Sequence, residues 1–430
     1  MSIPISSWPA DPEARANRLA DALPPERLSL LRMAADESTA RALPLYLVGG
    51  CVRDLLLGRP VTDFDLVVEG DAVALARGLV AKHGGKVTAH PRFGTAQWFL
   101  PESLASPDFR LSTLDLISAR SESYAHPGAL PKVKFGSLTD DLRRRDFTVN
   151  ALALRLDGGH FGDLRDDLGG LDDLRRGIVR ILHPRSFVDD PTRIFRAVRY
   201  EQRLGFRIDE ETLSLLPEAL PLIDKLSAER VRHELDLILE EENAAGMLKR
   251  LAGLKALAAV HPALAWNQSI RKRFESGRAV SSAERQNFGW MLWLMHLPRA
   301  SLEQIEKRLH FHAGLRDDVF AASALYADLD SLAGKKPSQC VALLDEFPLA
   351  AVRAVHLAAP RGEARRNLQD YVETWRRVKP KATGHTLKKL GLEPGPVYQS
   401  ILLKLKNAWL DGEVKTEAEE RALLAKLIKV

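Results

Sequence analysis

The hydrophobic rhythm of this chain changes once, and that change limits the folds open to it. From Leu45 to about Leu156, apolar residues come in short runs separated by glycines, the pattern of strands alternating with short helices. From about Asp163 onward, strand signals fade. Apolar residues then recur at helical spacing, punctuated by Pro217, Pro221, Pro262, Pro298, Pro348, Pro360 and Pro380. An α/β head followed by an all-helical remainder satisfies both parts. Strands are expected over 45–48, 64–68, 86–89, 95–100 and 111–117, and helices over 52–57 and 72–83. The residues before Pro44 read as a helical lead-in.

Bulk properties narrow the function classes. A chain of 430 residues exceeds one usual core, so two to four domains are expected. Its longest apolar runs are too short to span a bilayer, and its first residues lack a basic stretch followed by an apolar one, so no membrane association or secretory signal is expected. Cys51 and Cys340 lie too far apart in sequence for a disulfide framework or a metal cluster. A reducing, cytoplasmic setting is expected. The net charge of +5 permits a polyanionic partner without demanding one.

Within the head, Gly49-Gly50-Cys51-Val52-Arg53-Asp54 precedes Thr62-Asp63-Phe64-Asp65-Leu66-Val67-Val68. Residues i and i+2 of a strand point to one side. Asp63 and Asp65 would therefore aim two carboxylates at one point, where a hard divalent cation would offset their repulsion. The alternative is a solvated turn. The glycines can bring backbone N–H groups close to a triphosphate. A third acid, Asp115, sits between Leu114 and Leu116, and alternation puts it on the face opposite those leucines. It is either a third metal-site carboxylate or a plain surface acid.

Two arginine-rich motifs lie further along. Arg143-Arg144-Arg145-Asp146 is either a solvated patch or a phosphate contact through Arg145, with Asp146 as a helix cap. In Asp189-Asp190-Pro191-Thr192-Arg193-Ile194-Phe195-Arg196, Asp190 reads as a cap with proline at the first helical position. Arg193, Arg196, Arg199 and Arg203 then share one side of a helix. That side is either a solvated basic face, or Asp190 and Arg193 present an acceptor and a forked donor to a nucleobase edge while Arg196 reaches phosphate. Near the C-terminal end, 376–406 carries eight Lys or Arg and one acid, Glu393. It could track an RNA backbone through residues such as Lys388, Lys389 and Lys404, or be a solvated surface.

Taken in order, LVGGCVRDLLLGRPVTDFDLVV, HPRFGTAQW, LDLISARSESY, DLRRRDFTVNALAL, DPTRIFRAVRYEQRLGF and SAERVRHELDLIL resemble the bacterial class II tRNA nucleotidyltransferases, the CCA-adding enzymes, and the related bacterial poly(A) polymerases. The resemblance covers roughly 43–240, and GLEPGPVYQSIL is similar to the C-terminal segment of longer members. It implies a nucleotidyltransferase head with a polymerase-β-like mixed sheet, then a helical neck, body and tail. The corresponding spans are 1–43 for the lead-in, 44–156 for the head, 157–240 for the neck, 241–375 for the body and 376–430 for the tail. It further implies that Asp63 and Asp65 bind Mg²⁺, with Asp115 as the third catalytic acid. Gly49, Gly50 and Arg53 would contact the incoming nucleotide, and Arg145, Asp190, Arg193 and Arg196 would hold or read CTP and ATP. The implied reaction is attack of the tRNA 3′-hydroxyl on the nucleotide α-phosphate. Two departures stand out. Asp189 replaces the usual glutamate, and the loop 124–133 lacks the basic stretch of full CCA-adding members, so CCA, CC or A addition all stay open.

Overall fold

The computed structural model describes residues 8–61, 64–104, 112–123, 132–277 and 280–428, in two compact units, Met1–Ser227 and Ala228–Val430. In the first unit, α1 (Pro12–Ala22) and α2 (Pro25–Ala40) precede the sheet. Each opens on a proline, whose missing N–H has no intrahelical partner to lose there. Asp11 caps α1 by accepting from the Ala14 N–H at 2.8 Å.

The strands are β1 (Leu45–Val48), β2 (Asp65–Val68), β3 (Lys86–His90), β4 (Thr95–Phe99), β5 (Thr113–Ser118), β6 (Arg120–Ser123), β7 (Lys132–Phe135), β8 (Ala153–Arg155), β9 (Asp163–Arg165) and the two-residue pair β10 (Ile178–Val179) and β11 (Arg207–Ile208), which run parallel to each other in a sheet of their own. Seven of them form one sheet in the order β3-β4-β5-β2-β1-β8-β9, while β6 and β7 pair separately. Within the seven, β2 and β5 run parallel and all other neighbours antiparallel. The sheet is therefore mixed, as expected.

Between the strands lie α3 (Gly50–Leu56), α4 (Ala72–His83) and α5 (Leu138–Arg143). On one face Leu114 and Leu116 are buried beneath α4, which packs on β3, β4 and β5. On the other, α5 drives Leu138 and Leu142 into a cluster with Tyr46, Val48, Val67 and Ala153. Each such leucine contributes roughly 1.5–3 kcal/mol by leaving water. Because α5 covers only the part of this face beyond Val67, the start of β2 and the middle of β5 stay open.

The head sheet runs past the boundary expected at 156. Asp157 accepts from the Leu45 N–H at 2.9 Å and is gripped by Arg155 at 2.8 Å, and β9 then pairs with β8. Strands of three residues are too short to show a period, so the sequence pattern ends before the sheet does. Beyond β9 come α6 (Gly170–Arg176), α7 (Ser186–Asp189) and α8 (Thr192–Leu204). The helix Ala228–Glu240, expected as the end of the neck, opens the second unit instead.

In the second unit, no strand occurs among the described residues. Trp290 stacks on Trp293 at 5.5 Å, meets Phe311 edge-on at 5.1 Å and donates to Asp236 at 2.7 Å. A separate apolar cluster of Ala382, Leu387, Ile401, Leu405 and Leu424 holds the last three helices. Among the described residues, no helix is long and apolar enough to cross a membrane.

Candidate active site

Backbone pairing, more than any loop, assembles the acidic centre. Asp65 stands opposite Asp115 across the parallel β2–β5 pair. Asp115 stands opposite Gln97, and Gln97 opposite Thr88. Paired residues share a face, so four polar side chains form one row across four strands. Both carboxylates are exposed, and Gln97 Nε2 donates to Asp115 Oδ1 at 3.0 Å. A cleft of about 310 Å³ opens over them. The expected Asp63 lies outside the described residues, as does the loop 124–131. Among the described residues, no group of three or more metal-ligating side chains converges. Two all-oxygen, like-charged donors held side by side nevertheless fit a hard divalent cation, which offsets their repulsion.

The glycine turn adjoins this row through Val48, the partner of Asp65. Gly49 has φ +83°, a left-handed conformation that side chains disfavour, and its N–H donates to Leu152 O at 3.0 Å. A Cβ at Gly49 would lie 2.7 Å from Arg145 Nη1, so the glycine admits the guanidinium. Arg145 Nη2 donates to the buried Asp141 at 3.0 Å, and its Nε is buried without a partner. Asp141 also binds Arg144 at 2.7 Å. The arginine run is therefore only partly solvated, with Arg143 exposed and its two neighbours tied down.

Arg53, expected at the nucleotide, has its partners inside the protein. It is buried, with Nε and Nη2 on Asp54 at 3.0 and 2.9 Å, Nη1 on Asn150, and its plane over the Tyr200 ring at 5.1 Å. Its Nη2 would lie 3.4 Å from a Cβ at Gly50, so it supports the turn from within. Cys51 is buried in α3 and donates to Val48 O at 3.1 Å. Burial, together with the Asp65 charge, pushes its thiol up to about 12.

At α8, Asp190 Oδ1 accepts from the Thr192 N–H at 3.1 Å and from its hydroxyl at 2.7 Å, but the cap position falls on Pro191, one residue later than expected, so Asp190 steadies the helix start from just outside it. The solvated basic face is absent. Arg193 and Arg199 are buried, Arg196 is half-buried, and Arg203 alone of the four is exposed. Arg193 spends two of its donors on Ser186 Oγ and Arg144 O. Arg196 grips Asp146 Oδ2 through Nε at 2.8 Å and Nη2 at 2.6 Å. Asp146 is thus no helix cap, because the next element is a single 3₁₀ turn, Thr148–Asn150, without a side-chain cap. Its Oδ1 accepts from Asn150 at 2.9 Å. Burial pushes the Asp146 carboxyl up, but Arg196 and these hydrogen bonds outweigh it and hold the group below the usual range. Gln97, Asp141 and Asn150 carried no sequence signal of their own. Each is recognised only through a partner brought close by folding.

In the second unit, Lys388, Lys389 and Lys404 are exposed and unpaired among the described residues. Exposed Leu390 caps the helix that carries Lys388 and Lys389, and exposed Val397 and Leu403 lie on the helix that carries Lys404.

Known proteins share this fold and about a third of its residues. Residues 45–180 match the poly A polymerase head domain, and 205–267 match a probable RNA and SrmB-binding site of polymerase A. An A-adding tRNA nucleotidyltransferase of Halalkalibacterium halodurans is 32% identical over 92% of this chain and 91% of its own. A CC-adding tRNA nucleotidyltransferase of Deinococcus radiodurans is 32% identical over 88% of each. The Thermotoga maritima CCA-adding enzyme complexed with tRNA superposes with a TM-score of 0.77 at 29% identity, over 96% of this chain and 98% of that one. With the mixed sheet, the paired carboxylates and near full-length similarity together, the chain belongs to the tRNA nucleotidyltransferase and poly(A) polymerase family.

Proposed function

We propose that the chain adds CMP or AMP, from CTP or ATP, to the 3′ end of tRNA without a nucleic-acid template. The observation that carries this reading is the direct pairing of Asp65 with Asp115 beside the Gly49 turn. Asp63, Asp65 and Asp115 are the acids we assign to Mg²⁺ and catalysis. When bound, the metal supplies Lewis-acid polarisation of the phosphate and of the attacking hydroxyl. The protein's part is position and charge. The Gly49–Gly50 turn offers backbone donors to the triphosphate, and Arg145 adds a cation whose buried Nε lacks a partner. Arg53 keeps the turn in shape. Asp190 and Arg193 face the base-reading task with the donors and acceptors left after their structural bonds, and Arg196 holds the adjoining Asp146. The RNA 3′-hydroxyl attacks the α-phosphate, a new phosphodiester forms, and pyrophosphate leaves.

In this reading the head and neck (44–240) carry the chemistry and base selection, and the body (241–375) links them to the tail. The tail (376–430) holds tRNA through Lys388, Lys389 and Lys404, where exposed cations are worth most. Two buried free cysteines fit a cytoplasmic setting.

The test uses three tRNAs, ending before CCA, after C and after CC, each incubated with CTP or ATP and Mg²⁺. Addition of one to three nucleotides supports the reading, and product lengths assign CCA, CC or A addition. No product on any tRNA refutes it. Long tails on unstructured RNA with ATP alone would assign a poly(A) polymerase instead.

A further inference from the structure

Arg193, Arg196 and Tyr200 are spaced so that they share one stripe of α8, about 10 Å long. Each holds a different part of the head. Arg193 donates to Arg144 O at 2.7 Å, Arg196 grips Asp146, and Tyr200 lays its ring against the Arg53 guanidinium at 5.1 Å. Arg193 and Arg196 already have places in the proposed function. Tyr200, two turns from Arg193, has none.

Charge gathers on this ring. Arg196 and Arg199 lie 5.7 and 6.0 Å from its centroid, so three guanidiniums surround one half-buried tyrosine. The faces of the ring are negative and attract cations, more strongly away from water. Arg53 and Arg199 are both buried. Phe147, fully buried, meets the ring edge-on at 5.7 Å and 79° and fixes its tilt. The hydroxyl accepts from Arg196 Nη2 at 3.4 Å, a long bond.

A second tie runs beside the first. Arg59, just beyond α3, donates through Nη1 and Nη2 to Arg203 O and Leu204 O, each at 3.4 Å, where the carbonyls of α8 run out of intrahelical partners. α3 and α8 are therefore joined at two places. α3 opens on the Gly49–Gly50 turn, which Arg53 supports from within. In the proposed function the nucleotide meets its phosphate donors at that turn and its base readers, Asp190 and Arg193, at the start of α8. The separation of those two subsites depends on what holds α3 to α8.

We propose that Tyr200 is a positioning residue that sets this separation, an inference that rests on the function above. It acts through Arg53 on the turn and along α8 on the base-reading pair. Recognition of a base edge needs donors and acceptors held to within about 0.5 Å. A loosened α8 therefore loses selectivity before it loses the reaction.

The test uses the tRNA that the unaltered protein extends. It measures kcat and KM for the matching nucleotide, for UTP and for GTP, and KM for tRNA, with melting curves alongside. Tyr200→Leu removes the ring, Tyr200→Phe keeps it, and Arg59→Met cuts the second tie at an exposed side chain. Leu30→Ala, in the buried side of α2, is the control for lost stability alone. Tyr200→Leu should raise KM for the matching nucleotide and lower its kcat/KM advantage over UTP and GTP about tenfold. KM for tRNA should stay within about twofold. Tyr200→Phe should restore the selectivity. Arg59→Met should lower it about threefold, and it carries the test should Tyr200→Leu fail to fold. Unchanged selectivity in the folded variants, the same loss in Leu30→Ala, or a change confined to KM for tRNA overturns the assignment. If the unaltered protein extends its tRNA while these variants keep its selectivity, this inference alone fails. If the unaltered protein extends none, the functional reading fails and takes this inference with it.

Discussion

The Arg196–Asp146 pair joins α8 to the segment before the 3₁₀ turn, and its strength follows from its setting. Two charge-assisted hydrogen bonds, at 2.8 and 2.6 Å, end on one carboxylate oxygen of a residue that is 8% exposed. Charge centres roughly 4 Å apart attract by about 4 kcal/mol at an effective dielectric near 20. Arg196 is 32% exposed, so water screens part of this, and a coupling of about 2–3 kcal/mol is expected at neutral pH. Arg196→Met alone should cost about 3 kcal/mol, because it leaves a buried carboxylate unpaired. The pH dependence has a definite sign. The Asp146 carboxyl is held low in the folded protein. Its contribution is therefore present above the unfolded carboxylate value and is lost as pH falls through the lower folded value. In Arg196→Met the Asn150 hydrogen bond and the more distant Arg193 charge still oppose burial, but the carboxyl is less depressed than in the unaltered protein, so it takes up its proton at higher pH and protonation relieves the variant. Its deficit against the unaltered protein should shrink between about pH 7 and pH 3.5, the lower value lying below the ordinary carboxylate range. A cycle of Arg196→Met, Asp146→Asn and the double variant, unfolded in urea and read by hydrogen exchange of peptides within 141–204, measures both effects. A coupling under about 0.5 kcal/mol, or a deficit equal at the two pH values, would refute the reasoning.

Two further outcomes test the glycine turn and its helix. Gly49→Ala meets both a positive φ and the Arg145 guanidinium, so it should destabilise by more than about 1 kcal/mol and weaken CTP and ATP binding in calorimetry; unchanged affinity would separate the turn from the nucleotide. Cys51, buried and with its thiol pushed up to about 12, should resist alkylation in the folded protein at pH 8 and react only in urea. Rapid labelling without denaturant would show that α3 opens.

Much of the head could be read directly. Leu45–Val48 and Ala72–His83 match their expected bounds, because each is an unbroken apolar or amphipathic run between turn residues. The strand expected over 64–68 begins at Asp65, and its remaining three residues are all buried, since α4 and α5 cover opposite faces. The short strands β6 to β9 escaped, being three or four residues long. The acids and glycines were legible because their spacing is local. What Arg193, Arg196 and Asp146 do was not, because an arginine on a helix looks the same in sequence whether it meets water or a carboxylate fifty residues away. The partners of Asp115 depend on strand pairing, which no local pattern encodes.

The row Thr88, Gln97, Asp115, Asp65 has a consequence for how such a protein can change. Its alignment is written into main-chain ladders of period two. Inserting or deleting one residue inside β4 or β5 would invert that strand, sending Gln97 or Asp115 beneath α4 and lifting Trp98 or Leu116 into water. Connections between strands tolerate added length at little entropic cost. Indels should therefore concentrate in the joins and be purged from the strands, even at positions that never touch a substrate.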